Sequence, residues 1–127
     1  MSNKTLKLIL LVAVIAIFTT TIFAFQTSTR IRFAKGKNST TISDTIGDSG
    51  KKDYIIRGNK GRVLSASVSS DCESVQIIVI DNGTGNTISE NPSTEYQDEL
   101  PGTDDYIIRV QNSDSTSCKF TLKVGIK

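Results

Sequence analysis

The chain has 127 residues, of which 37% are hydrophobic, 6% aromatic and 22% charged, enough for about one domain around a modest core. It contains no histidine, which excludes Ser-His-Asp and Cys-His catalysis, imidazole acid–base chemistry and most zinc sites.

The N-terminus reads as a targeting segment. Lys4 and Lys7 stand in an acid-free start, and Leu8 to Phe25 form an apolar run broken only by threonines. With Ala24 at its end and Ile22 two places earlier, this predicts a secretory signal over residues 1–24 and a single mature domain over 25–127. The run is also long enough to span a bilayer as an uncleaved anchor. Arg30, Arg32, Lys35 and Lys37 immediately beyond it weigh against that orientation. No cysteine follows the run, which weighs against a lipid anchor. On either reading the domain is periplasmic or secreted, and it meets the membrane only through an uncleaved signal.

Removal of Lys4 and Lys7 leaves the mature domain neutral but strongly segregated. Nine bases and three acids occupy Arg30 to Arg62, whereas Val63 to Ile108 contains nine acids and no base. The acids are densest at Glu90, Glu95, Asp98, Glu99, Asp104 and Asp105. Such a surface steers a cationic partner and repels nucleic acid; equally, it keeps a secreted protein soluble.

From residue 30 onward the apolar period is two, which predicts strands. Ser49-Gly50-Lys51-Lys52 has the Ser-x-x-Lys spacing of some hydrolases, but it lies in a glycine turn and lacks the helix that would bring amine and hydroxyl together. Asp53-Tyr54-Ile55-Ile56-Arg57 reads as a strand, with Tyr and the second Ile on one face. Asn59-Lys60-Gly61 is a turn, and Arg62 to Ser70 alternates Leu64, Ala66 and Val68 with serines. Val75 to Ile80 has almost no polar face, which predicts a central strand covered on both sides.

Asp81-Asn82-Gly83 followed by Gly85 is a hairpin candidate. Its oxygens faintly resemble a calcium loop but lack the terminal bidentate acid, so no metal site is assigned. Pro92 and Pro101-Gly102 bracket a longer acidic loop. Asp105-Tyr106-Ile107-Ile108-Arg109 then repeats the pentapeptide at 53–57, which predicts related positions in two halves of a sandwich. Asp104 and Asp105, being adjacent on a strand, point to opposite faces and do not form an acid–base couple. The last segment alternates Phe120, Leu122, Val124 and Ile126 with Lys119, Thr121, Lys123 and Lys127. Short strands at such spacing, with no helical stripe, predict an all-β antiparallel sandwich, jelly-roll-like, of about eight strands.

Export also decides the cysteines. Cys72 ends one predicted strand and Cys118 begins the last, so antiparallel pairing of those strands predicts a disulfide rather than two buried thiols.

Taken in order, Arg32-Phe33-Ala34-Lys35-Gly36, Ser39-Thr40-Thr41, Asp53–Arg57, Lys60-Gly61 and Leu64–Val68 form one pattern. Leu100-Pro101, Tyr106–Val110 and Phe120–Val124 continue it. The pattern resembles that of the bacterial periplasmic inhibitors of goose-type and invertebrate-type lysozymes, which is shared with bacterial pre-peptidase C-terminal domains. The resemblance implies a non-enzymatic exported inhibitor that uses no cofactor, has lysozyme as its protein partner and binds no nucleic acid. A carbohydrate- or cell-surface-binding module of the pre-peptidase type is the alternative. In the inhibitors a Ser-Gly-x-Tyr loop enters the lysozyme cleft, and Thr103, Asp104, Asp105 and Tyr106 stand at the matching positions here. Asp104 replaces the glycine, and aspartate tolerates left-handed backbone better than most residues. The resemblance thus assigns partner contacts to Thr103, Asp104, Asp105 and Tyr106, with Glu99 and Tyr96 in the same 95–106 loop. Tyr106 also has a purely structural reading, as a core residue whose hydroxyl ties down a loop.

Overall fold

The computed structural model describes residues 27–127; the predicted signal and its cleavage site lie outside the described residues. Eight strands form two four-stranded sheets. They are β1 (Thr27–Arg30), β2 (Ser39–Ile46), β3 (Lys51–Gly58), β4 (Val63–Ser70), β5 (Val75–Asp81), β6 (Glu95–Glu99), β7 (Asp104–Asn112) and β8 (Cys118–Ile126). Sheet A runs β1-β3-β7-β5 and sheet B β2-β8-β4-β6. All pairings are antiparallel except β1 with β3, whose connection crosses to sheet B through β2.

Alternation places one side of every long strand in the shared core. β7 buries Tyr106, Ile108 and Val110, β4 buries Leu64, Ala66 and Val68, and β8 buries Phe120, Leu122 and Val124. Tyr54 of sheet A meets Phe120 of sheet B edge-on at 6.4 Å, a favoured aromatic geometry that joins the layers. Cys72, just past β4, and Cys118, the first residue of β8, form the expected disulfide, with Cα atoms 6.0 Å apart. Beside it Asn112, only 3% exposed, donates through Nδ2 to the carbonyls of Gly47 and Thr116 (3.1 and 2.8 Å). Its Oδ1 accepts from Ser74 Oγ and the Asp114 amide at 2.9 and 3.0 Å. One amide therefore fastens the loops at this end of the sandwich.

Three expectations need correcting. The two copies of Asp-Tyr-Ile-Ile-Arg are not in separate halves; they are adjacent antiparallel strands of sheet A, in register about Ile55↔Ile107. This makes the pentapeptide complementary to itself. Asp53 lies opposite Arg109 and accepts from Nε and Nη2 at 2.8 and 3.0 Å, while Arg57 lies opposite Asp105 at 3.9 Å. The predicted parity does hold, because both tyrosines and both second isoleucines face the core.

β5 is not central but an edge. Its outer face is apolar because Ile80, Ile107 and Ile55 form one row across three strands, where lateral contact partly buries them. Its free edge is closed by the 86–93 segment, through hydrogen bonds from Ile88 to Val79 (2.8 Å) and between Ile77 and Ser93 (2.7 and 3.2 Å). Finally, the acidic 95–106 stretch is not one loop. It consists of edge strand β6, a turn over residues 100–103 and the start of β7.

Candidate functional site

Register places four segments at the end of the sandwich opposite the disulfide: residues 31–38, the β3–β4 turn 59–62, the 81–86 turn and the β6–β7 turn 100–103. The last of these carries Thr103, with the expected contacts Glu99 and Asp104 flanking it at the ends of β6 and β7. Its anchor is Leu100, 1% exposed, which packs so closely on Gly58 that a Cβ there would come within 2.2 Å of its side chain.

The 100–103 and 59–62 turns are stitched together. The Leu100 amide donates to the Arg62 carbonyl (2.7 Å), the Gly61 amide to the Leu100 carbonyl (3.0 Å), and the Lys60 amide to Thr103 Oγ1 (3.0 Å). Because Thr103 accepts from the backbone of Lys60, its own hydroxyl proton is left to donate outward. Lys60, Arg62, Glu99 and Thr103 are all exposed, so the tip carries both signs of charge around one hydroxyl.

Tyr106 is not at this surface. It is 0% exposed, and its hydroxyl donates to the Gly102 carbonyl while accepting from the Gly102 amide at 3.2 Å. This arrangement is the tyrosine corner of β-sandwiches, in which a buried phenol holds the backbone of the preceding turn. Burial, the largest cause, pushes its pKa up, with Asp81 and Asp104 adding to it. The residue therefore acts on this surface only through the turn it fixes.

The remaining expected contacts diverge. Asp104 leans over the 81–86 turn: a Cβ on Gly83 would meet its carboxylate at 1.9 Å, so that glycine provides the space. Its position needs no left-handed backbone, since Ser49 is the one non-glycine residue with positive φ among the described residues. Aspartate in place of glycine is thus free of backbone strain. Asp105 lies on the outer face of sheet A, where Arg30 donates to both its oxygens at 3.2 and 2.8 Å. The Arg30 hydrogen bond holds the Asp105 carboxyl below the usual range. Tyr96 sits half-buried against the core, its pKa raised chiefly by burial.

Two weaker motifs resolve locally. Lys52 pairs with Asp44 at 2.8 Å, away from Ser49, whose hydroxyl donates to Asp48 at 2.9 Å. In the 81–86 turn Asp81 accepts from Gly83 and Gly85, at 2.9 and 2.7 Å, so its oxygens close a tight turn as the hairpin reading requires. Sequence reasoning missed Lys60 and Arg62 as site neighbours. The Asn59-Lys60-Gly61 turn was visible, but nothing local marked which other turn it would touch.

These observations define an all-β sandwich whose candidate site is a pair of mutually pinned turns at one end, with no catalytic couple among them. No family model and no curated protein sequence matches the chain. Among solved structures it is similar to PliG of Aeromonas hydrophila, a periplasmic lysozyme inhibitor of g-type lysozyme, with a TM-score of 0.72 and 18% identity over 82% of this chain and 100% of that one. PliG of Salmonella Typhimurium is similar with a TM-score of 0.65 and 21% identity, over 81% of this chain and 100% of that one. The pre-peptidase C-terminal domain of a Bacillus anthracis collagenase shares the fold more loosely, with a TM-score of 0.58 and 16% identity over 83% of this chain and 99% of that one. At these identities the likeness establishes the fold.

Proposed function

We propose that the chain is an exported, non-enzymatic inhibitor of lysozyme, with the g-type enzyme as its first-choice partner. The observation that carries the reading is the exposed tip made by turns 100–103 and 59–62, on a sandwich that matches the full length of two g-type lysozyme inhibitors. The tip enters the substrate cleft and excludes the glycan. Cleavage of a glycoside requires a pair of carboxyl groups flanking the bond. The Thr103 hydroxyl donates to one of them, and the Lys60 ammonium, on the adjoining turn whose backbone bonds to Thr103, supplies a compensating positive charge. The acidic edge strand β6, with Glu95, Asp98 and Glu99, guides approach to a cationic enzyme surface. This division of labour departs from a purely acidic inserting loop: acids steer, while a hydroxyl and a cation insert.

The test is titration of residues 25–127 into goose-type and invertebrate-type lysozyme while following cell-wall lysis. Stoichiometric loss of lysis that Thr103→Ala and Lys60→Ala both relieve supports function and site together. Undiminished lysis by both enzyme types refutes the function, and inhibition that survives both substitutions refutes the site. In the latter case an Asp104→Ala variant tests whether the 81–86 side of the tip makes the contact instead.

A further inference from the structure

Sheet B ends on β2, an eight-residue strand with β8 on one side only. The other sheet edges are defended. β5 is closed by the 86–93 segment, β1 is four residues long, and β6 carries Glu95, Asp98 and Glu99, whose like charges repel a second copy. β2 has none of these devices. Its register with β8 runs unbroken from Ser39↔Gly125 to Ile46↔Cys118, with no bulge and no proline.

Hydrogen bonding shows which backbone groups this edge offers. The Ile126 amide donates to the Asn38 carbonyl at 2.9 Å, so the even-numbered residues turn their N–H and C=O toward β8. Alternation turns those of Ser39, Thr41, Ser43 and Thr45 outward. The outward Thr45 amide donates to Asp44 Oδ1 at 2.8 Å, and no other segment among the described residues pairs with this row. An unpaired row of this kind is a template for another strand.

We propose that β2 pairs with β2 of a second copy, antiparallel about a two-fold axis at Ile42, joining two B sheets into one of eight strands. Residues with outward backbone groups must face one another, which leaves few registers. With Thr41 opposite Ser43 of the second copy, half-buried Ile42 meets its own counterpart in a non-hydrogen-bonded pair, where side chains approach most closely. The next register on either side sets Ile42 against Thr40 or Asp44 instead. Charge selects the same direction. Exposed Lys35 and Lys37 precede the strand and exposed Asp48 follows it, so antiparallel pairing brings the bases of one copy beside the acid of the other. Parallel pairing would set like against like. The acid within the strand, Asp44, is neutralised in its own chain by Lys52 at 2.8 Å. On the outer face Lys119 and Lys123 adjoin Thr45 and Thr41, which face Ser39 and Ser43 of the second copy, so no cations meet across the joint. The contact is isologous and closes at two copies. Because β2 starts at the end of the sandwich that carries the 59–62 and 100–103 turns, antiparallel pairing points the two tips in opposite directions and leaves both free. The inference therefore does not rest on the lysozyme reading.

The experiment is sedimentation velocity of residues 25–127 at low salt, from about 1 μM to about 1 mM. A monomer that gives way to a dimer as concentration rises, and to nothing larger, is expected. Thr41→Pro removes an outward N–H and no bond to β8, and should weaken dimerisation at least about tenfold. Lys37→Glu and Asp48→Lys should each weaken it about fivefold, since each pair occurs twice, and the double variant should recover it. Ile42→Cys should form an intermolecular bridge on mild oxidation, as facing Cα atoms about 4.5 Å apart allow, whereas Thr41→Cys should not. The charge swap and the cysteine pair keep the test decisive if proline perturbs folding. The proposal is overturned if the wild type stays monomeric throughout, if folded Thr41→Pro dimerises as wild type does, if the charge swap fails to recover association, or if Thr41→Cys bridges as readily as Ile42→Cys. Lysozyme inhibition per chain should be unchanged in Thr41→Pro, and dimerisation unchanged in Thr103→Ala, so either reading can fail alone.

Discussion

Tyr106→Phe separates positioning from contact at the candidate tip. The ring fills the same space in a fully buried site, so the substitution removes one hydroxyl and nothing from the packing. It breaks two hydrogen bonds, one to the Gly102 carbonyl and one from the Gly102 amide. Each such bond contributes about 1 kcal/mol net, and half-buried Gly102 recovers part of the loss from water. The expected cost is about 1–2 kcal/mol, which for a domain of this size lowers the melting temperature by roughly 5–10 °C. Because the turn is loosened and not reshaped, inhibition of lysozyme should weaken by at most about tenfold, the factor equivalent to 1.4 kcal/mol. Urea unfolding gives the stability and lysis titration the affinity, both at a temperature where the variant is fully folded. Two results refute the reasoning. Unchanged stability means that the phenol does not hold the turn, and abolished inhibition at unchanged stability means that Tyr106 touches the partner after all.

Further predictions concern stability. Asn112→Ala removes the two hydrogen bonds given to the Gly47 and Thr116 carbonyls and the two accepted from Ser74 and Asp114, and should cost about 2–4 kcal/mol by denaturant unfolding; a loss below about 1 kcal/mol argues against its role as the fastener of that end. Reducing Cys72–Cys118, a bridge across 46 residues, should remove about 4 kcal/mol, visible as a lower urea midpoint in reductant. Burial raises all three tyrosines, Tyr54 to about 12. A raised folded value means that folding favours the neutral phenol, so stability is flat below about pH 10 and falls as pH rises through the folded values. Absorbance should show phenolate appearing together with the loss of strand circular dichroism; tyrosines that ionise near pH 10 while the sheets persist contradict the burial. At the acid end the sign reverses. The carboxyls of Asp44 and Asp105, lowered chiefly by hydrogen bonds from Lys52 and Arg30, support folding above about pH 4, and that support fades as pH falls through their folded values.

The class of the fold and the face each residue takes were set by the sequence itself. Alternation along 62–70 and 119–127 and the turn at Asn59-Lys60-Gly61 are local signals. Burial of one strand face and closure of one turn depend on immediate neighbours, and the structure follows them. Period two does not say which strand lies beside which. The Asp-Tyr-Ile-Ile-Arg repeat showed its buried tyrosines in the sequence but not that the two copies pair with each other, since that choice rests on Asp53 meeting Arg109 across 56 residues. In the same way, the apolar run of β5 marks burial without distinguishing a central strand from an edge covered by a returning segment. The tip divides along the same line. Thr103 was visible in sequence, but only tertiary structure sets it against the backbone of Lys60, 43 residues away, and turns Tyr106 inward to hold the turn. Local patterns fix the conformation of each segment, whereas long-range hydrogen bonds and sheet register decide which segments share a surface, and the candidate site is made of such contacts.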